Sequence, residues 1–303
     1  MGRALTRRLA ACHDVTVVDI LRHGLRFDEA ELHGFALSQT DIRDYEALQR
    51  VFEDAAPEVV IHLAALHYIP ECDARPDEAI SINTLGSANV LRATPEGAGF
   101  VLLSTAAVYA PDESPHAEDR SCVEPVDVYG ITKLQSEQFL RLWARQKDLR
   151  AAIVRMFNVV GPGETNPHLL PAILSQLLRG ERRLRLGNCY PRRDYIDVED
   201  AAAGIAAIAA GLRAEPGVDV VNLGTGRSHS VYDVIDGFSR VIGEELTVES
   251  DASRLRAVDR PVLQACIDKI RTSYGWKPSL TLEDSLRRLW QDPDIPSDLL
   301  SRS

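Results

Sequence analysis

The amino-acid sequence predicts an α/β protein with a doubly wound parallel sheet, covered by helices on both faces. Short apolar runs rich in valine and isoleucine alternate with longer segments of helical spacing through the first half of the chain. These runs are continuously apolar, which is typical of strands that are buried on both sides. Several of them end in polar residues, and ligands of such sheets bind beyond the carboxyl ends of the strands.

The elements follow one another in the order that this fold class requires. The run Val15–Asp19 is β-branched and ends in an acid, and Gly161-Pro162-Gly163 later breaks the regular alternation. We predict strands at Val15–Asp19, Val59–Ala65, Phe100–Ser104, Ala151–Phe157 and Val218–Asn222, and helices at Tyr45–Asp54, Asp77–Ala93, Asp127–Gln146, Leu169–Leu178 and Ala201–Ala210. After the break at Gly161 we expect a smaller mixed lobe built from non-contiguous segments.

Charge and cysteine content narrow the class of partner. The net charge of −11 argues against a nucleic-acid partner bound through its phosphates, but it leaves a nucleotide ligand open. The five cysteines are scattered without a Cys-x-x-Cys spacing, so we expect neither a disulfide framework nor a zinc site, and a reducing cytoplasm. No apolar stretch is long enough to span a bilayer, so we expect no membrane partner.

Tyr129 and Lys133 are the most informative pair of residues in the sequence. They lie four residues apart in a predicted helix, so their side chains share one face. An ammonium beside a phenol favours the phenolate, and we therefore expect the pKa of Tyr129 to be lowered. Thr105, at the end of the preceding predicted strand, can hold a substrate oxygen while Tyr129 moves a proton. The same spacing also arises by chance on exposed helices, so its meaning depends on the rest of the chain.

Ordered motifs along nearly the whole chain resemble the extended short-chain dehydrogenase/reductase family, and within it the nucleotide-sugar epimerases. The resemblance is carried by Val17-Val18-Asp19, Asp41-Ile42, His62-Leu63-Ala64-Ala65, Asn83, Ser104 to Tyr109, Tyr129 with Lys133, Arg155 to Gly163, Arg192 to Asp200 and Gly275-Trp276-Lys277-Pro278. It implies a Rossmann sheet that binds NAD and a smaller C-terminal lobe that binds a nucleotide sugar. The implied division is 1–162 plus about 194–223 for the dinucleotide, and about 163–193 plus 224–303 for the sugar nucleotide.

The resemblance also implies roles for single residues, and it implies no metal. The implied catalytic residues are Thr105, Tyr129 and Lys133, with Tyr129 as general base and acid. The implied cofactor contacts are Gly2, Asp19, Asp41, Ile42, Ala64, Ala65, Asn83, Ser104, Tyr129 and Lys133. The implied substrate contacts are Thr105, Asn158, His168, Leu169, Arg193 and Arg256.

Three of these assignments have alternatives that the sequence leaves open. A carboxylate at Asp19 favours NAD over NADP because it repels a 2′-phosphate, but an aspartate can also simply close a strand in a turn. Arg193 and Arg256 suit a diphosphate because the guanidinium binds phosphate oxygens bidentately, yet either can be a surface residue. His168 stands where an asparagine is usual in UDP-galactose/glucose epimerases, which leaves the nucleotide open, with UDP favoured.

The start of the chain departs from the family. The family opens with an apolar strand and a Gly-x-x-Gly-x-x-Gly turn that binds the cofactor pyrophosphate, whereas Gly2 matches only the last of these glycines. The sequence therefore predicts a sheet without its first strand and with two neighbouring strands left unpaired. We expect this polypeptide to fold poorly or to bind NAD weakly. A misplaced start and a shortened protein both remain open.

The residues after Thr105 separate the possible reactions. Ala106-Ala107 replace the acidic residues that sugar dehydratases and decarboxylases of the family carry nearby, so we expect hydride transfer with one proton relay. Epimerisation at C4 is favoured, and reduction of a 4-keto-6-deoxy nucleotide sugar by NAD(P)H is the second candidate. A non-catalytic binding relative is the third, because the cofactor turn is incomplete. The resemblance further implies a homodimer formed through Asp77–Ala93 and Asp127–Gln146.

Overall fold

The computed structural model describes residues 1–251 and 260–294. The strands are β1 (Thr16–Asp19), β2 (Ala36–Gln39), β3 (Val59–His62), β4 (Gly99–Thr105), β5 (Arg150–Met156), β6 (Asn158–Val160), β7 (Arg183–Leu186), β8 (Arg192–Asp197), β9 (Gly217–Leu223), β10 (Ser228–Ser230), β11 (Thr247–Ser250) and β12 (Val262–Leu263). The helices are α1 (Gly2–Ala10), α2 (Glu29–Leu32), α3 (Tyr45–Ala55), α4 (Ile69–Ala74), α5 (Pro76–Ala79), α6 (Ser87–Ala93), α7 (Val128–Gln146), α8 (Leu169–Leu178), α9 (Val198–Ala210), α10 (Val231–Ile242), α11 (Asp268–Tyr274) and α12 (Leu282–Gln291).

The parallel strands of the first part form two separate ladders. β3, β4, β5 and β9 pair in that order, all parallel, and β1 pairs in parallel with β2. Within the described residues no strand lies between β1 and β3 and pairs with both of them. The sequence predicted that this strand would be missing. Val59 at this edge is 39% exposed, which is unusual for a valine in a parallel sheet.

Apolar clusters cover both faces of the larger sheet. On one face α1 and α9 pack on β5 and β9 through residues such as Leu5, Ile205 and Val221. On the other face α3, α6 and α7 pack on β3, β4 and β5, with Phe100 at the centre. These buried surfaces provide most of the free energy of folding, at about 25 cal/mol for each Å² of apolar area removed from water. The doubly wound arrangement predicted from the sequence is therefore present.

A second apolar cluster lies in the C-terminal half. It joins α8, β7, α10 and α12 through residues such as Ile173, Leu184, Phe238 and Leu286. The small sheet beside it is mixed, because β8 pairs in parallel with β6 and β12 and antiparallel with β10. The chain reaches this region twice, through β6 to β8 and again after β9. A mixed lobe of non-contiguous segments was the arrangement that the sequence predicted.

Local signals explain where the helices begin. Asp127 caps α7 by accepting a hydrogen bond from the Gly130 amide, and Ser230 and Thr281 form capping boxes at α10 and α12. The predicted helix 77–93 is helical throughout, but its middle, Ile80–Gly86, is a π-helical turn. Strand β2 was not predicted. No helix in the described part of the chain is both long and apolar enough to cross a membrane.

Candidate active site

One cleft gathers nearly all of the residues that the sequence singled out. Its volume is about 2310 Å³, and it runs from the space between β1 and β3 past the start of α7 to the start of α8. The predicted site residues that line it are Gly2, Asp19, Asp41, Ile42, Ala64, Ala65, Ser104, Thr105, Tyr129, Lys133, Asn158, His168, Leu169 and Arg193. Asn83 does not line it, and Arg256 lies outside the described residues.

The Thr105 and Tyr129 hydroxyls form the chemical centre of this cleft. Thr105 ends β4, Tyr129 lies in the first turn of α7, and the Thr105 hydroxyl lies close enough to the phenol to influence its pKa. The Thr105 Oγ1 also accepts a hydrogen bond of 3.1 Å from the Ala107 amide, which fixes its side chain at the strand end. Two hydroxyls held in this way can share one substrate oxygen, as the sequence predicted.

The pKa of Tyr129 corrects the sequence-based expectation. It is raised from its ordinary value, chiefly because burial disfavours the phenolate, although the ring is still partly accessible. The neighbouring Thr105 hydroxyl opposes this shift, while the carboxylate of Asp127 reinforces it. Proximity in the helix therefore does not by itself make Tyr129 acidic. In this state the phenol is a proton donor at neutral pH.

The buried amino group of Lys133 is a candidate contact for a polar ligand. Its side chain is fully buried, and its Nζ has no hydrogen-bond partner in the described structure. Burial lowers the pKa of Lys133 to about 8, while the carboxylate of Glu137 opposes the shift. A buried ammonium without a partner costs several kcal/mol unless a ligand satisfies it. The ribose hydroxyls of a dinucleotide in the cleft fit this requirement.

A second orphaned group faces the other part of the cleft. The Asn158 Oδ1, at the start of β6, is buried and has no hydrogen-bond partner among the described residues. Unpaired buried amide oxygens are rare in native proteins and often mark a ligand contact. The Lys133 Nζ and the Asn158 Oδ1 thus both lack hydrogen-bond partners among the described residues, and both residues line the cleft that Tyr129 and Thr105 share.

Asp19 and Asp41 lie on the shallower side of the cleft. Asp19 ends β1, and its Oδ1 accepts a hydrogen bond of 2.6 Å from the Leu21 amide. Arg22, which the sequence placed near Asp19, instead forms an ion pair with Glu71. Asp41 binds Arg43, and the side-chain hydrogen bond from Arg43 lowers the pKa of Asp41. The carboxylate of Asp19 therefore stays exposed in the cleft, where a ribose can reach it.

Two predicted cofactor residues are engaged with the protein itself. The Asn83 amide accepts from the Leu66 amide at 2.7 Å and donates to the Leu66 carbonyl at 2.9 Å, so it holds the segment after β3. The Ser104 hydroxyl donates to the Glu137 Oε1 at 2.6 Å. Asn83 therefore supports the cleft wall from behind, Ser104 joins the wall to α7, and their predicted contact with the cofactor stays a prediction.

A buried ion pair that sequence reasoning missed lies directly behind Lys133. Arg155 of β5 donates two hydrogen bonds to Glu137 of α7, at 3.0 and 2.8 Å, and both side chains are almost fully buried. Glu137 lies four residues after Lys133 on the same helix face, a spacing that was visible in the sequence. Together with Ser104, this pair ties α7 to the two central strands.

The far end of the cleft carries the predicted sugar-nucleotide residues. His168 precedes the first residue of α8 and stacks on Tyr68, with ring centroids 5.2 Å apart, and Leu169 begins the helix. Arg193 of β8 lines the same end and donates to the Arg260 carbonyl at 2.7 Å. The structure thus brings these residues into the cleft, while their contact with a substrate stays a prediction.

One group of side chains in the described residues has metal-ligand spacing. The ligand atoms of His67, Glu164 and His168 lie within 4.8 Å of one another. The His67 Nε2 is also 3.1 Å from the Asn166 Nδ2. A metal bound through this nitrogen would have to displace Asn166. The sequence predicted no metal, and we assign none.

Comparisons with known proteins agree with this geometry. The model of the NAD dependent epimerase/dehydratase family matches residues 1–224. The chain is 34% identical to a UDP-glucose 4-epimerase of Azospirillum brasilense, over 89% of this chain and 82% of that protein. It is 26% identical to a GDP-6-deoxy-D-mannose reductase of Pseudomonas aeruginosa, over 78% of this chain and 80% of that protein. Among solved structures, a UDP-glucose 4-epimerase of Bifidobacterium longum in complex with NAD⁺ and UDP is similar with a TM-score of 0.85 and 25% identity, covering 96% of this chain and 95% of that one.

Proposed function

This chain belongs to the NAD dependent epimerase/dehydratase family, and we propose that it epimerises a nucleotide-activated sugar, with a UDP-sugar favoured, at C4. The observation that carries the proposal is the hydroxyl pair of Thr105 and Tyr129, which shares one cleft with the orphaned Lys133 Nζ and Asn158 Oδ1. Relatives whose names include UDP-glucose 4-epimerase and UDP-glucuronate 4-epimerase support the reaction class.

The proposed chemistry needs one proton relay. NAD, when bound, supplies the acceptor and donor of the hydride at C4. Tyr129 acts as the phenolate, so the phenol must first lose its own proton; it then removes the proton from the O4 hydroxyl and returns it once the sugar has turned over, while Thr105 holds the same oxygen. Lys133 binds the ribose of the cofactor, and its charge favours the phenolate while the proton is away. Ala106 and Ala107, which follow Thr105, are buried and supply no acid or base for elimination.

The proposal extends to the division of the site. We propose that 1–162 plus about 194–223 bind NAD, with Asp19 on the adenosine ribose, and that about 163–193 plus 224–303 bind the sugar nucleotide. The separate apolar cluster formed by α8, β7, α10 and α12 supports the second unit. Arg193 is the proposed diphosphate ligand within the described residues, with Arg256 as the proposed second one.

The test is to incubate the protein with NAD and, in turn, UDP-glucose, UDP-glucuronate and UDP-N-acetylglucosamine, and to follow the C4 epimers by NMR. We expect interconversion of at least one pair without net formation of NADH. Stoichiometric loss of NAD(P)H with a 4-keto-6-deoxy nucleotide sugar would instead establish the reductase, which the similarity to a GDP-6-deoxy-D-mannose reductase favours. Binding of nucleotide and sugar without any turnover would establish the non-catalytic alternative.

We further propose that the protein acts as a homodimer in the cytoplasm. Apolar side chains lie exposed on α5 to α7, with Ile80 at 50%, Leu85 at 52% and Leu142 at 51% exposure. Such a patch is typical of an interaction surface. The five cysteines are free, which supports a reducing compartment. Sedimentation should show a dimer that Leu142→Glu converts to a monomer, and a monomeric wild-type protein would contradict the proposal.

A further inference from the structure

A single buried guanidinium joins the C-terminal region to the catalytic helix. We propose that Arg260 is a positioning residue that fixes the first turn of α7, and with it Tyr129, against the turn that follows Thr105. This role rests on the proposed function for its effect on turnover, whereas its effect on local structure does not. Arg260 itself is 8% exposed and lies two residues before the start of β12.

One nitrogen of Arg260 makes both contacts that matter. Its Nη2 donates to the Ala107 carbonyl at 3.0 Å and to the Asp127 Oδ2 at 3.1 Å. Asp127 is the cap of α7, and its other oxygen accepts from the Gly130 amide at 2.7 Å. Ala107 in turn donates its amide to the Thr105 Oγ1. Arg260 therefore hydrogen-bonds directly to Asp127, the cap of the helix that carries Tyr129, and to Ala107, which orients Thr105.

The junction that Arg260 holds has almost no slack. A Cβ on Gly130 would lie 2.6 Å from the Ala107 carbonyl oxygen, which is closer than real Cβ atoms approach. The start of α7 thus packs directly on the turn after Thr105, with only a glycine between them. The same carbonyl oxygen accepts the Arg260 hydrogen bond. If this contact is lost, the carbonyl and the Asp127 carboxylate lose a shared cation, and the two segments can move apart.

The main chain of Arg260 is held on the opposite side by β8. Its carbonyl accepts a hydrogen bond of 2.7 Å from Arg193, and the Pro261 carbonyl accepts one of 2.8 Å from the Arg192 amide. β12 then pairs with β8 from Val262 onward. Arg193 is the proposed diphosphate ligand, so the segment that carries Arg260 is continuous with the substrate end of the cleft. The position of Tyr129 thereby depends on how well the residues at the substrate end of the cleft are ordered.

The test compares Arg260→Met and Arg260→Lys with the wild-type protein. Met keeps the length of the stem and removes both hydrogen bonds, whereas Lys keeps a charge and donors but loses the planar fork. We expect Arg260→Met to lower kcat by about 10²-fold, as a misplaced catalytic group does. KM for the nucleotide sugar and the Kd for UDP should stay close to wild type. Arg260→Lys should recover part of the lost kcat.

A second readout does not need turnover. Amide hydrogen exchange should accelerate in Arg260→Met at the turn 105–109 and at the start of α7, and remain unchanged in the rest of the sheet. Arg192→Met is the matched control. Arg192 of β8 is an exposed arginine next to Arg193, it pairs with Asp233 of α10, and it does not line the cleft. We expect this control to change neither kcat nor exchange.

Three results would overturn the proposal. A rise in KM and in the Kd for UDP at unchanged kcat would make Arg260 a substrate ligand. Unchanged kcat and unchanged hydrogen exchange in Arg260→Met would show that the hydrogen bonds of Arg260 to Ala107 and Asp127 do not position Tyr129. Accelerated exchange throughout the protein in both variants would make its role purely structural. If the wild-type protein turns over no nucleotide sugar, the proposed function fails, and the local exchange still decides whether Arg260 positions Tyr129.

Discussion

The two sides of the cleft differ in how firmly their residues are held. On the α7 side, Lys133 is fully buried, Ser104 and Arg155 are hydrogen-bonded to Glu137, and β4 pairs along its whole length with β5. On the β1 side, the strand pairs with β2 alone among residues 1–251 and 260–294, and each of its residues is half-buried or exposed. The proposed proton-transfer side of the site is thus built into the core, while the side proposed to bind adenosine lies on a thin, separate ladder.

This difference suggests how the free energy of the molecule is distributed. A group held in a packed core can be kept in a costly state, such as a buried ammonium, because the surrounding contacts compensate. A residue on an exposed ladder contributes little to stability and acts mainly through its ligand. We therefore expect substitutions on the α7 side to change stability and chemistry, and substitutions on the β1 side to change affinity alone.

The largest effect should come from removing the phenol. Tyr129→Phe should lower kcat for the proposed epimerisation by about 10³-fold, since it removes the acid and base of the proton relay. UDP binding in calorimetry should remain near wild type. Tyr232→Phe is the matched control, because Tyr232 is exposed on α10, away from the Thr105 hydroxyl. A kcat in Tyr129→Phe that is close to the wild-type value would refute the assignment.

Breaking the buried ion pair should have the largest effect on stability. Glu137→Gln leaves the Arg155 guanidinium buried without a countercharge, and we expect the free energy of unfolding in urea to fall by about 3–5 kcal/mol. Glu283→Gln is the control, because Glu283 pairs with Arg240 and Arg287 on an exposed surface. Such a surface pair contributes about 0–1 kcal/mol. Equal losses in both variants would contradict the contrast between core and surface.

Lys133 allows the cost of the site to be measured through pH. Its pKa is about 8 in the folded protein, against roughly 10.4 when unfolded, so the unfolded chain binds more protons between these values. Wild-type stability should therefore rise as the pH increases from about 8 to about 10, and the full penalty should apply below that window. The penalty should be on the order of 3 kcal/mol.

Lys133→Met tests this directly, because it removes the charge and keeps a stem of similar length. Without cofactor, we expect the variant to be more stable than wild type at pH 7, and the difference to vanish above the unfolded pKa of roughly 10.4. Turnover should be lost. A stability difference that does not depend on pH would show that packing, and not the buried charge, is responsible.

The smallest effect on stability should come from the β1 side. Asp19→Asn should change the free energy of unfolding by less than about 0.5 kcal/mol, since the side chain is exposed. NAD affinity in calorimetry should fall about tenfold, the value of a hydrogen bond to a charged group, and the preference for NAD over NADP should decline. Unchanged NAD affinity in Asp19→Asn would contradict the proposed contact of Asp19 with the ribose.

The sequence by itself predicted the alternation of strands β1, β3, β4, β5 and β9 with helices, and it singled out most of the residues that line the cleft. Apolar periodicity is a local property, so runs such as Phe100–Ser104 and Leu169–Leu178 matched the strand β4 and the helix α8 closely. Polar residues at strand ends meet at one edge of a parallel sheet, which explains why Thr105 and Asn158 could be placed together in advance. The short strand β2 was missed because Ala36–Gln39 holds only two apolar residues.

Only the tertiary structure decided the charges and the supporting contacts. The helical spacing of Tyr129 and Lys133 predicted a lowered pKa for the tyrosine, but burial, which no local pattern reports, raised it. The bonds of Arg260 to Ala107 and Asp127 join residues more than 130 positions apart. Spacing along one helix fixes which side chains are neighbours, whereas desolvation and long-range hydrogen bonds depend on what the rest of the chain packs around them.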